Sequence, residues 1–149
     1  MARIVRNSLI IMLLSVTALG CSFESSRYAV TGAVTMDGAP APLVIVRFHP
    51  AETGSLSGGS GSTDATGKFA FGENGKNTGL TSGEYKVTFS QTLVNGKPTL
   101  AGSGGKKWEK VPSEKESVAD EYRDPEKTPI TASIGSGTNA FTFDIKAKK

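Results

Sequence analysis

Gly83-Glu84-Tyr85-Lys86-Val87-Thr88-Phe89-Ser90 decides the fold: Tyr85, Val87 and Phe89 alternate with Glu84, Lys86, Thr88 and Ser90, the period of two that a strand with one buried face requires. The same rhythm recurs outward in both directions. Towards the N-terminus, Phe69 and Phe71 share one face while Lys68 and Ala70 take the other, and Asp64-Ala65-Thr66-Gly67 before them predicts a type I turn whose glycine is left-handed. Leu43 to Phe48 is an apolar, β-branched run broken only by Arg47, read as a strand ending at Pro50, with Pro40 and Pro42 holding the approach extended. Earlier still, Tyr28, Val30, Val34 and Met36 alternate with Ala29, Thr31, Ala33 and Thr35 up to an Asp37-Gly38 turn. Towards the C-terminus, Asp124-Pro125 and Thr128-Pro129 favour extended backbone before Ile130, Ala132 and Ile134. A turn over Gly135 to Gly137 then leads to Phe141, Phe143 and Ile145, which alternate with Thr142, Asp144 and Lys146.

Three stretches interrupt the rhythm. Residues 53–62 are mostly Gly and Ser and read as a surface loop, and Gly72 to Gly79 is a glycine-rich connection. Residues 95–123 are polar, charged and longer than an ordinary hairpin loop. Within this insertion Ser113 and Glu116 have the capping-box spacing, which predicts a short helix over 113–122. Six or seven short strands with at most one short helix define an all-β chain, an antiparallel β-sandwich.

The N-terminus carries a different signal. Arg3 and Arg6 precede an apolar run from Leu9 to Val16, and Thr17-Ala18-Leu19-Gly20-Cys21 follows, the layout of an export signal. The apolar run is far shorter than the ~20 residues of a membrane span. Of the 149 residues 20 precede Cys21, leaving 129 for one domain. Those 20 include two of the 17 basic residues and none of the 14 acidic ones, so the remainder has 15 against 14. This near balance removes the electrostatic footprint expected of a nucleic-acid binder. Residues 1–20 thus read as signal peptide, 21–27 as tether, 28–146 as the folded domain and 147–149 as tail.

Cys21, the chain's one cysteine, resembles the lipobox cysteine of bacterial lipoproteins. That resemblance implies a palmitate-type lipoprotein with acyl chains on Cys21, exported and anchored to a bacterial membrane, outer or periplasm-facing. Within the domain, Val30-Thr31-Gly32-Ala33-Val34, then Thr63-Asp64-Ala65-Thr66-Gly67-Lys68-Phe69, then Leu80-Thr81-Ser82-Gly83-Glu84-Tyr85-Lys86-Val87 resemble the carboxypeptidase regulatory-like domain. This implies a seven-stranded transthyretin-like (prealbumin-like) sandwich. The tail, Tyr122-Arg123-Asp124-Pro125 through Thr128-Pro129-Ile130 to Asn139-Ala140-Phe141, is similar to that of small exported lipoproteins of planctomycete-type bacteria.

No catalytic constellation emerges. His49 is the one histidine; general acid–base work needs an orienting partner, and metal sites usually need several nitrogen or sulfur ligands. It reads as a strand-end residue. The transthyretin-like hydroxyisourate hydrolases use several histidines and a characteristic C-terminal tetrapeptide, whereas this chain ends Lys146-Ala147-Lys148-Lys149. Asp37 and Asp64 read as turn residues rather than calcium ligands, and Asn139 has no first-strand lysine to form an isopeptide bond. The segment from Gly58 to Ser62 lacks the Gly-Lys-Ser/Thr of a phosphate loop. Trp108, in Lys106-Lys107-Trp108-Glu109-Lys110, is the candidate ligand-binding residue: its ring could stack on a sugar, meet a protein or rest among lipid headgroups. The alternative is a plug between loop and sandwich. The sequence therefore predicts a non-enzymatic envelope module without metal or cofactor, for an envelope protein or polysaccharide. An accessory or inhibitor subunit docking on an envelope enzyme or transporter by a sheet edge is the competing expectation.

Overall fold

The computed structural model describes residues 26–52, 57–72, 79–100 and 114–149. These residues form an all-β structure of thirteen strands, β1 to β13 in chain order, and one 3-10 turn, Asp120–Tyr122. In the first large sheet β2 (Val30–Met36) is central. It carries β13 (Asn139–Ile145) on one side, and on the other β6 (Lys68–Phe71) and β3 (Ala39–Pro40) end to end. In the second, the order is β12 (Thr131–Ile134), β8 (Gly83–Ser90), β4 (Ile45–Pro50) and β5 (Gly59–Ser62). A small sheet of β10 (Lys97–Thr99), β9 (Thr92–Val94) and β11 (Glu114–Glu116) extends from the end of β8, and β1 (Arg27–Tyr28) pairs with β7 (Leu80–Thr81).

The alternation seen in the sequence places one apolar row on the inner face of each large sheet. Val30, Val34, Phe69, Phe143 and Ile145 come from the first; Val46, Phe48, Tyr85, Val87, Phe89 and Ile134 come from the second; all are buried in one cluster. Phe48 lies at its centre. Its ring is 5.3 Å from Phe71, 6.2 Å from Tyr85 and Phe141, and 6.4 Å from Phe69 and Phe143. All five pairs are tilted or edge-on, the arrangements ring quadrupoles favour.

Glycine makes the close approaches. A Cβ on Gly32 would lie 2.4 Å from the Phe141 carbonyl oxygen and 2.6 Å from the Phe69 ring, so β2 can pass between these residues only without a side chain. Gly67 has φ 79° at the end of the turn predicted at 64–67, where its N–H donates to Asp64 O at 3.1 Å. Two hairpins are tighter: Asp37-Gly38 (φ 52° and 82°) and Asn95-Gly96 (φ 51° and 77°) each join adjacent strands through two residues with positive φ, the turn whose twist matches that of the strands.

Several expectations are corrected. The sandwich is not wholly antiparallel, because β13 runs parallel to β2 over seven residue pairs, from Asn139↔Val30 to Ile145↔Met36. The turn after β12 passes the chain from one sheet to the other. Residues 59–62 are not loop but the edge strand β5, with Gly59 and Gly61 inward-facing because Leu80 and Phe71 fill the space their side chains would need, at 2.8 and 3.0 Å. The helix predicted over 113–122 is replaced by β11 and the 3-10 turn, Ser113 itself lying outside the described residues. Glu116 does not fold back to cap a helix: its Oε1 accepts from the N–H groups of Gln91 (2.8 Å) and Val118 (3.0 Å). The insertion 95–123 therefore contributes β10 and β11 to a sheet on β9.

Two boundaries also move. The second predicted strand begins at Ile45, because Leu43 turns left-handed (φ 55°), a conformation costing a non-glycine residue roughly 1–2 kcal/mol. Buried Thr63 holds it: its hydroxyl donates to Ala41 O (2.6 Å) and accepts from Val44 N–H (2.9 Å), while its carbonyl accepts from Leu43 N–H (3.1 Å). Asp124-Pro125 makes a turn rather than an extended lead-in, closed by Thr128 N–H on Asp124 O at 2.9 Å.

Candidate functional site

Cys21 and Trp108, the two site residues predicted from sequence, lie outside the described residues. His49 sits near the end of β4, on the outer face opposite Lys86, with its Nε2 2.8 Å from Thr88 Oγ1. Partial burial, and then the nearby Arg47 guanidinium, hold its pKa below the ordinary 6.5. It is a neutral imidazole at pH 7 bound to a hydroxyl, and no carboxylate among the described residues bonds to it as an orienting group for a general base would. Asn139 is buried in a structural corner: its Oδ1 accepts from Gly135 N–H (3.0 Å), and its Nδ2 donates to the carbonyls of Gly135, Gly137 and Ala29.

The aspartates organise turns. Asp64 Oδ1 accepts from the Thr66 hydroxyl and N–H (both 2.7 Å) and from Lys68 N–H (3.1 Å). Asp144 Oδ1 accepts from the Thr35 hydroxyl (2.7 Å) and Gly38 N–H (3.1 Å), joining β13 to the Asp37-Gly38 hairpin. These bonds favour the charged carboxylate, so both pKa values lie below the ordinary 3.8, the Thr66 hydroxyl contributing most at Asp64 and the Thr35 hydroxyl at Asp144. Among the described residues no group of three or more His, Cys, Asp or Glu side chains is placed to hold a metal ion.

No family model matches the chain, and no curated protein or solved structure matches it either. The first sheet's outer face forms a shallow groove of about 630 Å³. Its floor is made of small side chains, Thr31, Ala33, Ala70 and Ala140, with Asp64 and Lys68 on the rim. Asp64 Oδ1 is engaged in its turn, and the groove rim presents the exposed Asp64 carboxylate and Lys68 ammonium. Among the described residues no helix is long and apolar enough to cross a membrane.

The small sheet of β9, β10 and β11 is the feature sequence reasoning missed. Leu93, Val94 and Pro98 are half-buried in it, while Lys97 and Lys115 are exposed and make no ion pair among the described residues. Asn95-Gly96 between short runs was the available signal. Its edges are guarded against strand addition by Lys97, Pro98 and the charged Glu114-Lys115-Glu116.

The aspartate turns set an acid limit on stability. Between the depressed native pKa and the ordinary one, the unfolded chain binds protons the native state does not, so stability present above pH ~4 is lost as pH falls through the native values. His49 adds an earlier decline with the same logic: below pH ~6.5 the unfolded imidazole protonates first. The Tm is expected to sag slightly below pH 6.5 and to decline further below pH 4, with Asp64→Asn reducing the second decline. Calorimetry showing a constant Tm from pH 7 to pH 3 would contradict this.

Proposed function

We propose that this chain is a lipid-anchored protein of a bacterial cell envelope, a non-enzymatic binding or structural module for an envelope protein or polysaccharide. The observation that carries the reading is Cys21 at the end of an export-type leader, followed by a polar tether, Ser22 to Arg27 apart from Phe23, and then by a strand-built domain. In this reading residues 28–146 are a carboxypeptidase regulatory-like, transthyretin-like sandwich. Two large sheets sharing one aromatic core support that assignment. Trp108, set among lysines, is the proposed ligand contact.

The second reading, an accessory or inhibitor subunit, is favoured by one observation. Among the described residues β13 pairs with β2 on one side and with no other strand, and it is a seven-residue edge containing neither lysine nor proline. Such an edge is a template for an extended segment of another protein. Retention experiments with the detergent-solubilised native protein separate the two. Binding to envelope glycan that is abolished by Trp108→Ala, with the fold intact, is expected of the module. A single stoichiometric protein partner without glycan retention would transfer the assignment to the docking subunit.

A further inference from the structure

We infer that the domain stands on its bilayer by the end that carries Tyr28, Gly135 and Asn139, and holds the β9–β10–β11 sheet at its membrane-remote end. The inference rests on the proposed anchoring through Cys21; the strand directions are independent of it. β2 runs from Val30 to Met36, and the parallel register puts Asn139 beside Val30 and Ile145 beside Met36. In the other sheet Gly83 pairs with Ile134, just before the turn that leads to Asn139, so β8 starts at the Asn139 end. Its far end continues into Gln91, whose side-chain amide donates to Pro42 O at 2.6 Å and whose carbonyl accepts from Ser117 N–H at 3.0 Å. Ser117 and Ala119 in turn bond to Lys148 and Lys146, beyond the end of β13. Both sheets therefore share the same two ends.

The tether enters at the first end. Arg27 pairs with Thr81 and donates from Nη1 to Gly79 O at 3.3 Å. Six residue steps from Cys21 to Arg27 span at most about 20 Å when fully extended, which confines this end near the bilayer. β8 alone rises roughly 23 Å from Gly83 to Ser90, and the β9–β10 hairpin follows it in the chain. With the tethered end held near the bilayer, the remote sheet stands farther from it than the Gly135 end does. Leu100 and Glu114, which flank the connection carrying Trp108, both belong to that remote end. Lys97 and Lys115, which make no ion pair among the described residues, thus face the surrounding compartment, and the Gly135 end is the one held nearest the lipid.

The test uses the mature lipidated protein in phosphatidylethanolamine–phosphatidylglycerol vesicles that contain a headgroup nitroxide lipid. With Cys21 acylated, Ser136→Cys or Lys97→Cys supplies the one thiol for a fluorophore; both positions are exposed. Quenching several-fold stronger at position 136 than at position 97 is expected. Equal quenching, or stronger quenching at 97, in protein that floats with the vesicles would overturn the orientation alone. Protein that fails to float would overturn the anchoring reading and the orientation with it.

Discussion

Phe48→Ala is expected to lower the domain's stability by about 3–5 kcal/mol, the range for truncating a buried phenylalanine. Phe48 is 1% exposed and its ring meets those of Phe69, Phe71, Tyr85, Phe141 and Phe143, so it contacts rings on both large sheets. The cavity left behind cannot collapse easily, because β2 is already pressed between Phe69 and Phe141 at Gly32. Domains of this size have only about 5–15 kcal/mol in total, so the variant should sit close to unfolding. Urea denaturation should show a much lower midpoint with an unchanged slope. Phe71→Ala, at the partly exposed end of β6, should cost less. A loss below about 1 kcal/mol at Phe48 would show that the two sheets are not joined through this ring.

Cys21→Ala is expected to abolish fatty-acid labelling and to release the protein from the membrane fraction. One acyl chain gives only marginal, reversible attachment, whereas several, each buried methylene contributing about 0.8 kcal/mol, give effectively permanent anchoring. The change should therefore be all or none. Because the substitution precedes the first strand at Arg27, the circular dichroism spectrum should stay strand-dominated. Fatty-acid label persisting in the variant would contradict the reading.

The strands that bury one face were legible because alternation is a local property. Tyr85, Val87 and Phe89 declare their face without reference to any partner, and the same holds for Val30 with Val34 and for Phe143 with Ile145. Strand direction is not local: nothing in the rows of Phe141 and Phe143 says that they run parallel to Val30 and Val34. Strand β5 was hidden for a different reason. Gly59 and Gly61 look like flexible loop residues, yet they are small because Leu80 and Phe71 occupy the space beside them. The polar insertion hid its strands behind their brevity, three residues each in β10 and β11, and its capping-box signal failed because Glu116 serves Gln91 and Val118 instead. At the site, His49 and the turn aspartates could be located from sequence, but the Thr88 and Thr35 hydroxyls that partner His49 and Asp144 come from other strands. Cys21 is the reverse case, a residue whose meaning lies in its neighbours along the chain.

The most direct measurement is mass spectrometry of the N-terminal peptide of the protein isolated from its native membrane. The account predicts that the peptide begins at Cys21 and carries the mass of attached acyl chains. An unmodified Cys21 thiol, or a mature chain that starts at another residue, would contradict it.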